Sequence, residues 1–244
     1  MAETLVLLHG FAGTHHGWDD VVARLDGQRY RPLALDLRGH GGARDRRPVG
    51  FAECVADVLD AAPDRFALAG YSLGGRVALH VTLAAPERVS RLILVSTTAG
   101  IEDAAARAAR RAQDEALAAR LEAEDDIAAF ARRWTSGPLF AADPPHARAA
   151  ARHDILRNEP AALAAVMRGL GTGVMEPLWD RLTALAMPAT VLAGSKDAKF
   201  VALGRRLEDC LPNAAMSLVE PHGHALTRVA PAAVAAALDA CRCL

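Results

Sequence analysis

Three side chains, far apart in the sequence, have the types and the order needed to activate a hydroxyl. Ser72 lies in Gly70-Tyr71-Ser72-Leu73-Gly74, after the apolar run Phe66 to Ala69 and before an apolar-periodic segment. That pattern predicts a strand, a sharp turn and a helix, with the serine exposed on the turn. A serine hydroxyl is inert near neutral pH. It needs an imidazole within hydrogen-bond reach, and the imidazole needs a carboxylate to fix its tautomer. Asp197 follows one later apolar run, Ala189 to Ala193, and His224 follows the next, Ala215 to Val219. His222 is an alternative base, but His224 directly follows Gly223, the residue that shapes the turn. Asp36 also ends an apolar run, where capping a turn is its expected role.

The two glycines of the serine motif have a steric reason to be there, since a side chain at either would crowd a helix packed on its own strand. The backbone N–H of Leu73 then opens a helix, where negative charge is stabilised. Phe11 follows the first apolar run in His9-Gly10-Phe11. Its N–H and that of Leu73 make a candidate oxyanion hole, each such donor contributing roughly 3 kcal/mol in a transition state. His9 is expected to brace this loop rather than react.

The elements that must position these groups alternate. Strands are expected at Thr4 to Leu8, Arg31 to Leu37, Phe66 to Ala69, Arg91 to Ser96, Ala189 to Ala193 and Ala215 to Val219. Helices are expected at Trp18 to Leu25, Phe51 to Ala62, the segment after Ser72, Val201 to Leu211 and Ala232 to Cys241. Such alternation implies crossover connections and a mostly parallel sheet flanked by helices, with ligands beyond the carboxyl ends of the strands. The first strand begins almost at residue 1, so little precedes it in the sheet. The alternation stops near residue 100. Ala/Arg/Glu-rich helical sequence, broken at Gly137-Pro138, Pro144-Pro145 and Pro160, fills the next stretch. The expected division is an α/β core of 1–99 and 176–244 with a helical cap inserted at 100–175.

Composition narrows the function classes. The chain has 244 residues, 52% apolar and 5% aromatic, with a net charge of −1. No bulk field points to nucleic acid or an anionic membrane surface. The N-terminus lacks a basic segment ahead of its short apolar run, and no stretch is long enough to span a bilayer, so a cytoplasmic protein is expected. Cys54, Cys210, Cys241 and Cys243 lack framework spacing and are read as reduced thiols. Neither a metal nor an organic cofactor is implied.

With these residues placed, the chain resembles the α/β-hydrolase superfamily. Within it, LHGFAGTHHGW, DLRGHGG, GYSLGGRVA, AARAARRAQD, PLF and GSKDAKF resemble the 2-succinyl-6-hydroxy-2,4-cyclohexadiene-1-carboxylate (SHCHC) synthases of menaquinone biosynthesis. The resemblance implies a lyase on a hydrolase scaffold, whose triad abstracts a proton from an enolpyruvyl cyclohexene substrate and eliminates pyruvate. That substrate is a small polycarboxylate with three carboxylates, so arginines are expected in the pocket. Arg76, one helical turn past Ser72, and Arg107, Arg110 and Arg111, spaced along the first cap helix, are the candidates. Structural ion pairs and a solvated face are their alternatives. Tyr71 and Trp134 match aromatics of the family's pocket, with core packing as the rival role, and Phe140 is expected in the core. A carboxylesterase or other acyl hydrolase, with Ser72 as covalent nucleophile, is the alternative function.

Overall fold

The computed structural model describes residues 2–240. Six strands form one sheet in the order β2-β1-β3-β4-β5-β6, and every pairing is parallel. They are β1 (Glu3–Leu8), β2 (Tyr30–Leu35), β3 (Phe66–Tyr71), β4 (Val89–Val95), β5 (Ala189–Gly194) and β6 (Ala214–Val219). The side-chain period of two divides the central strands between two cores. Val6, Leu8, Leu68, Leu92, Leu94 and Val191 face one. Leu5, Leu7, Ala67, Ala69, Ile93, Val95 and Leu192 face the other. The first core is closed by α2 (Phe51–Ala61), α3 (Leu73–Ala84) and α8 (Ala198–Cys210), the second by α1 (Asp19–Val22), α9 (Leu226–Val229) and α10 (Pro231–Ala240).

The strand order reverses at β1, with β2 on one side and β3 on the other. Such a switch point leaves a crevice beyond the carboxyl ends of the strands. Phe11 leaves β1 and Ser72 leaves β3 at this crevice.

Between β4 and β5 the chain forms α4 (Ala104–Glu124), α5 (Ile127–Thr135), α6 (Pro145–Ile155) and α7 (Pro160–Leu170). Local chemistry sets their ends. Asp103 caps α4 by accepting the Ala106 N–H at 2.7 Å, and Asp126 caps α5 by accepting the Ala129 N–H at 2.9 Å. Pro145 and Pro160 occupy the first position of α6 and α7, where a missing N–H costs nothing. These helices bury Ala118, Leu121, Phe130, Ile155, Leu163 and Met167 in a third core that closes on Phe11.

Two elements are shorter than the sequence pattern implies. The helix expected over Trp18 to Leu25 is a 3-10 turn, His15–Trp18, followed by α1 alone. Past Val22 the bonds tighten to Arg24 N–H to Val21 O and Leu25 N–H to Val22 O, and the helix unwinds. The strand expected to reach Leu37 stops at Leu35 because the Asp36 side chain turns away to accept the His15 and Gly42 N–H groups. Cys54 is buried and free, and burial pushes its thiol up to about 12. Cys210 is a free thiol, while Cys241 and Cys243 lie outside the described residues. No helix among the described residues is long and apolar enough to cross a membrane.

Candidate active site

Ser72 sits on the elbow between β3 and α3 at φ 53°, ψ −108°, a left-handed conformation that a non-glycine residue adopts only when its surroundings force it. Here they do. The Ser72 N–H donates to Val95 O at 2.9 Å, and its carbonyl accepts the Thr97 hydroxyl at 2.7 Å. The elbow also needs helix and strand in near contact. A Cβ at Gly70 would lie 2.3 Å from Gly74 O, and one at Gly74 would lie 2.1 Å from Leu8 O.

Asp197 caps α8 after β5, and His224 lies on the loop after β6. The neighbouring strands therefore deliver both to one place, and Lys196 N–H to His222 O, 3.0 Å, ties their loops together. The His224 imidazole is 3.2 Å from Ser72 Oγ through Nε2 and 2.8 Å from Asp197 Oδ2 through Nδ1. It is 1% exposed and ringed by Phe200, Tyr71 and Phe140, at 4.5, 5.4 and 6.2 Å between ring centres. The alternative base, His222, offers this network only its backbone. A carboxylate on Nδ1 holds the tautomer in which Nε2 accepts the serine proton.

Ser72 and His224 open into a cavity of about 210 Å³, whose walls include Phe11, Leu73, Arg76, Arg110, Trp134 and Lys199. The Leu73 N–H lies in the first turn of α3, where a helix offers no acceptor. The loop's own bonds run from Gly13 N–H to Gly10 O and from Ala12 N–H to His40 Nε2, and among the described residues the Phe11 N–H has no acceptor.

Comparison with known proteins agrees with this geometry. Residues 5–237 match the α/β-hydrolase family. The chain belongs to that family. It is 35% identical over 243 residues to the SHCHC synthase of Klebsiella pneumoniae, covering 96% of this chain and 91% of that one. It is 32% identical over 235 residues to the synthase of the same name from Salmonella typhimurium, covering 95% and 90%. Among solved structures, MenH from S. aureus superposes with a TM-score of 0.90 at 30% identity, covering 97% of this chain and 91% of that chain. A thermophilic esterase from Thermogutta terrifontis superposes at 0.84 with 22% identity, a likeness of fold.

In this α/β hydrolase the loop after β1, the candidate oxyanion loop, is braced by two buried histidines. His9 Nδ1 is 2.8 Å from the Gly10 carbonyl, and its Nε2 accepts the Leu37 N–H at 3.0 Å. His40 takes the Ala12 N–H at 3.2 Å. Burial lowers both below the ordinary imidazole range, which keeps each ring neutral and able to accept. Asp36 accepts three bonds from His15 and Gly42, the turn-capping role expected of it. Burial pushes its carboxyl up, but those hydrogen bonds outweigh it and leave the group below the usual carboxylate range.

Three cations reach the cavity. Arg76 is buried and donates through Nη1 to Leu170 O. Among the described residues no carboxylate lies within salt-bridge distance of it. Burial, reinforced by Arg110 and opposed by Asp114, pushes its guanidinium down to about 9. Arg110 gives its Nε to Asp114 at 2.7 Å. Lys199, which sequence reasoning did not single out, is lowered by burial and by Arg110, against the pull of Asp197. Its signal was present, since the chain has only two lysines and this one sits in Asp197-Ala198-Lys199-Phe200.

Not every candidate arrives. Arg107 turns back and donates to the carbonyls of Ile101 and Glu102, at 2.9 and 3.1 Å. Arg111 lines a separate surface groove beside Glu115 and Arg168. Neither borders the serine cavity. Tyr71 lies on the other side of His224, in an apolar pocket of about 50 Å³ that it shares with Phe140, Phe11 and Trp134. Trp134 faces both spaces and meets the Phe11 ring edge-on at 5.1 Å. Phe140 is buried, as expected, although its ring also faces the imidazole.

Asp143 gives a testable consequence of the packing behind the triad. It is buried, its Oδ1 has no hydrogen-bond partner among the described residues, and burial, against the Ala225 backbone and Arg148 and with Asp197 adding to it, pushes its carboxyl up to about 6. An acid raised in the folded state costs stability as pH rises from its unfolded value through the folded one. Asp143→Asn, which mimics the neutral acid, is therefore expected to raise Tm above pH 6 and to leave it unchanged at pH 4. Each kcal/mol appears as about 2–4 °C. Thermal melts at the two pH values check this.

Proposed function

We propose that this chain is a carbon–oxygen lyase that eliminates pyruvate from 2-succinyl-5-enolpyruvyl-6-hydroxy-3-cyclohexene-1-carboxylate, forming SHCHC. The observation that carries the reading is the set of three cations, Arg76, Arg110 and Lys199, lining the same cavity as Ser72 and His224. The substrate carries three carboxylates, and the names of the relatives from Klebsiella and Salmonella give the product.

The ring proton next to the succinyl carbonyl is the acidic one. His224 takes the Ser72 proton, and the Ser72 oxygen takes this ring proton, with Asp197 balancing the imidazolium. The electron pair becomes an enolate, whose oxygen lies at the Phe11 and Leu73 N–H groups. The pair then returns through the ring. A new double bond forms at C2–C3, the existing one shifts to C4–C5, and the bond from C5 to the enolpyruvyl oxygen breaks. The pyruvate enolate that leaves takes the proton held by the His224 imidazolium, directly or through water, which gives pyruvate and restores the neutral imidazole, and the ring is left as a 2,4-diene. No covalent bond to Ser72 forms. Guanidinium and ammonium groups hold the carboxylates during this transfer, so the reacting carbon meets Ser72 in one orientation. We read 100–175 as the cap that closes this cavity, with Arg110, Trp134, Leu139, Met167 and Leu170 among the residues that it contributes, and we place the protein in the cytoplasm.

The same triad suits an acyl hydrolase, whose nucleophile would be Ser72 itself. A neutral ester, however, would offer no carboxylate to the buried Arg76 and would leave its charge uncompensated, an arrangement that costs free energy. The deciding experiment is pyruvate release from the enolpyruvyl substrate, coupled to lactate dehydrogenase. Turnover at about 1–10³ per second is expected, the usual enzymatic range. A signal no higher than the blank eliminates the lyase.

A further inference from the structure

One buried carboxylate joins the two segments that carry the oxyanion donor and the base. Asp154, near the end of α6, has 3% exposure. Its Oδ2 accepts the Thr14 N–H at 3.1 Å and Arg228 Nη2 at 2.5 Å, and its Oδ1 accepts the Thr14 hydroxyl. Arg157 Nε approaches Oδ1 at 3.9 Å. Thr14 lies three residues past Phe11 on the loop after β1. Arg228 lies four residues past His224, in α9. Asp154 belongs to neither segment and touches both.

The close packing around it is equally specific. A Cβ at Gly13 would meet Gly10 O at 3.3 Å and Asp154 Oδ2 at 3.4 Å, so the loop lies against the carboxylate at about van der Waals contact. One turn on, Asn158 repeats the motif with neutral groups. Its Nδ2 donates to Ala12 O, and its Oδ1 accepts the Gly41 N–H, both at 2.9 Å. The end of α6 thus grips the backbone on both sides of residues 12–14.

We infer that Asp154 is a positioning residue that fastens α6 at once to the oxyanion loop and to the segment after His224, and so fixes where the Phe11 N–H stands relative to the imidazole. Charge-assisted bonds at a buried oxygen are among the stiffest links a fold offers, and they tolerate little displacement. A donor and a base displaced by about 1 Å lose on the order of 10²-fold in rate, while substrate carboxylates held by Arg76, Arg110 and Lys199 keep their partners. The inference rests on the roles given to Phe11 and His224 above.

The test is steady-state pyruvate release by the wild type, Asp154→Asn, Arg228→Gln and the double variant, with folded protein quantified by circular dichroism and melting. Asparagine can still accept from Thr14 but has no charge for Arg228. Arg228→Gln breaks the same link from the other side and leaves the carboxylate on Thr14, so it remains informative if Asp154→Asn does not fold. The expected result is kcat per folded molecule lowered about 10–10²-fold in each single variant, with KM within about twofold. The double variant should be no worse than the poorer single, as for residues acting through one link. A purely structural role predicts less folded protein and unchanged kcat per folded molecule, and that result overturns the inference. So does a rise in KM at constant kcat, or losses that multiply in the double variant. A wild type that releases no pyruvate sinks the proposed reaction, whereas an active wild type with unaffected variants sinks only the role of Asp154.

Discussion

Ser72→Ala is expected to lower kcat for pyruvate release by about 10²–10⁴-fold, the usual worth of a positioned general base. KM should stay within about threefold. The argument is geometric. The imidazole is 3.2 Å from Ser72 Oγ, and its other nitrogen is fixed on Asp197 at 2.8 Å. Ser72 reaches the imidazole and lines the cavity together with His224 and the cations. Removing its oxygen takes away the group proposed to receive the ring proton and leaves the carboxylate ligands in place. His224→Ala should be about as damaging, and the double variant scarcely worse than either single, because the two move one proton. Steady-state kinetics on the three variants checks this. A Ser72→Ala enzyme within threefold of wild-type kcat would mean that the proton goes elsewhere.

Arg76→Met is expected to reverse the pattern. Here kcat/KM should fall about 10–10²-fold, carried mainly by KM, because a charged hydrogen bond to a carboxylate contributes about 1.5–3 kcal/mol. The same change should leave Tm unchanged or raise it. Arg76 is a buried cation with no carboxylate in reach among the described residues, and burial has already lowered its guanidinium to about 9. A group held in that state weakens the fold, and in the proposed reaction it serves a substrate carboxylate, the usual trade between stability and activity. Kinetics and thermal melts on one preparation decide it. A large drop in Tm with KM unchanged would make Arg76 a structural residue.

The proposed triad was legible because Ser72, Asp197 and His224 lie one, three and five residues past the parallel strands β3, β5 and β6 that the apolar runs become, where the chain has few alternatives. Ser72 could be placed to the residue, since the elbow demands glycines at fixed offsets. His224 was separable from His222 by the turn at Gly223. Helical spacing was a poorer guide in α4, whose faces all carry alanine and arginine. Successive residues there point about 100° apart. Arg110 is therefore drawn to Asp114 at the cavity while Arg111 swings to the outer groove. Arg107 had a nearer partner in the carbonyls that precede its own helix. Lys199 and Asp154 depend on tertiary closure. Nothing local to Asp154 announces that Thr14 and Arg228, 140 residues before and 74 after, converge on it. The end of β2 was misjudged for the same kind of reason, because Asp36 leaves the sheet for donors at His15 and Gly42.

In the proposed reaction Ser72, His224 and Asp197 move a proton and never carry an acyl group. Rapid-quench mass analysis of the intact chain during turnover of the enolpyruvyl substrate examines that directly, with pyruvate counted in the same samples. An unmodified protein at every time point and one pyruvate for each substrate consumed are expected. A substrate-derived mass on Ser72 that forms and decays at the rate of turnover would contradict the proposed reaction.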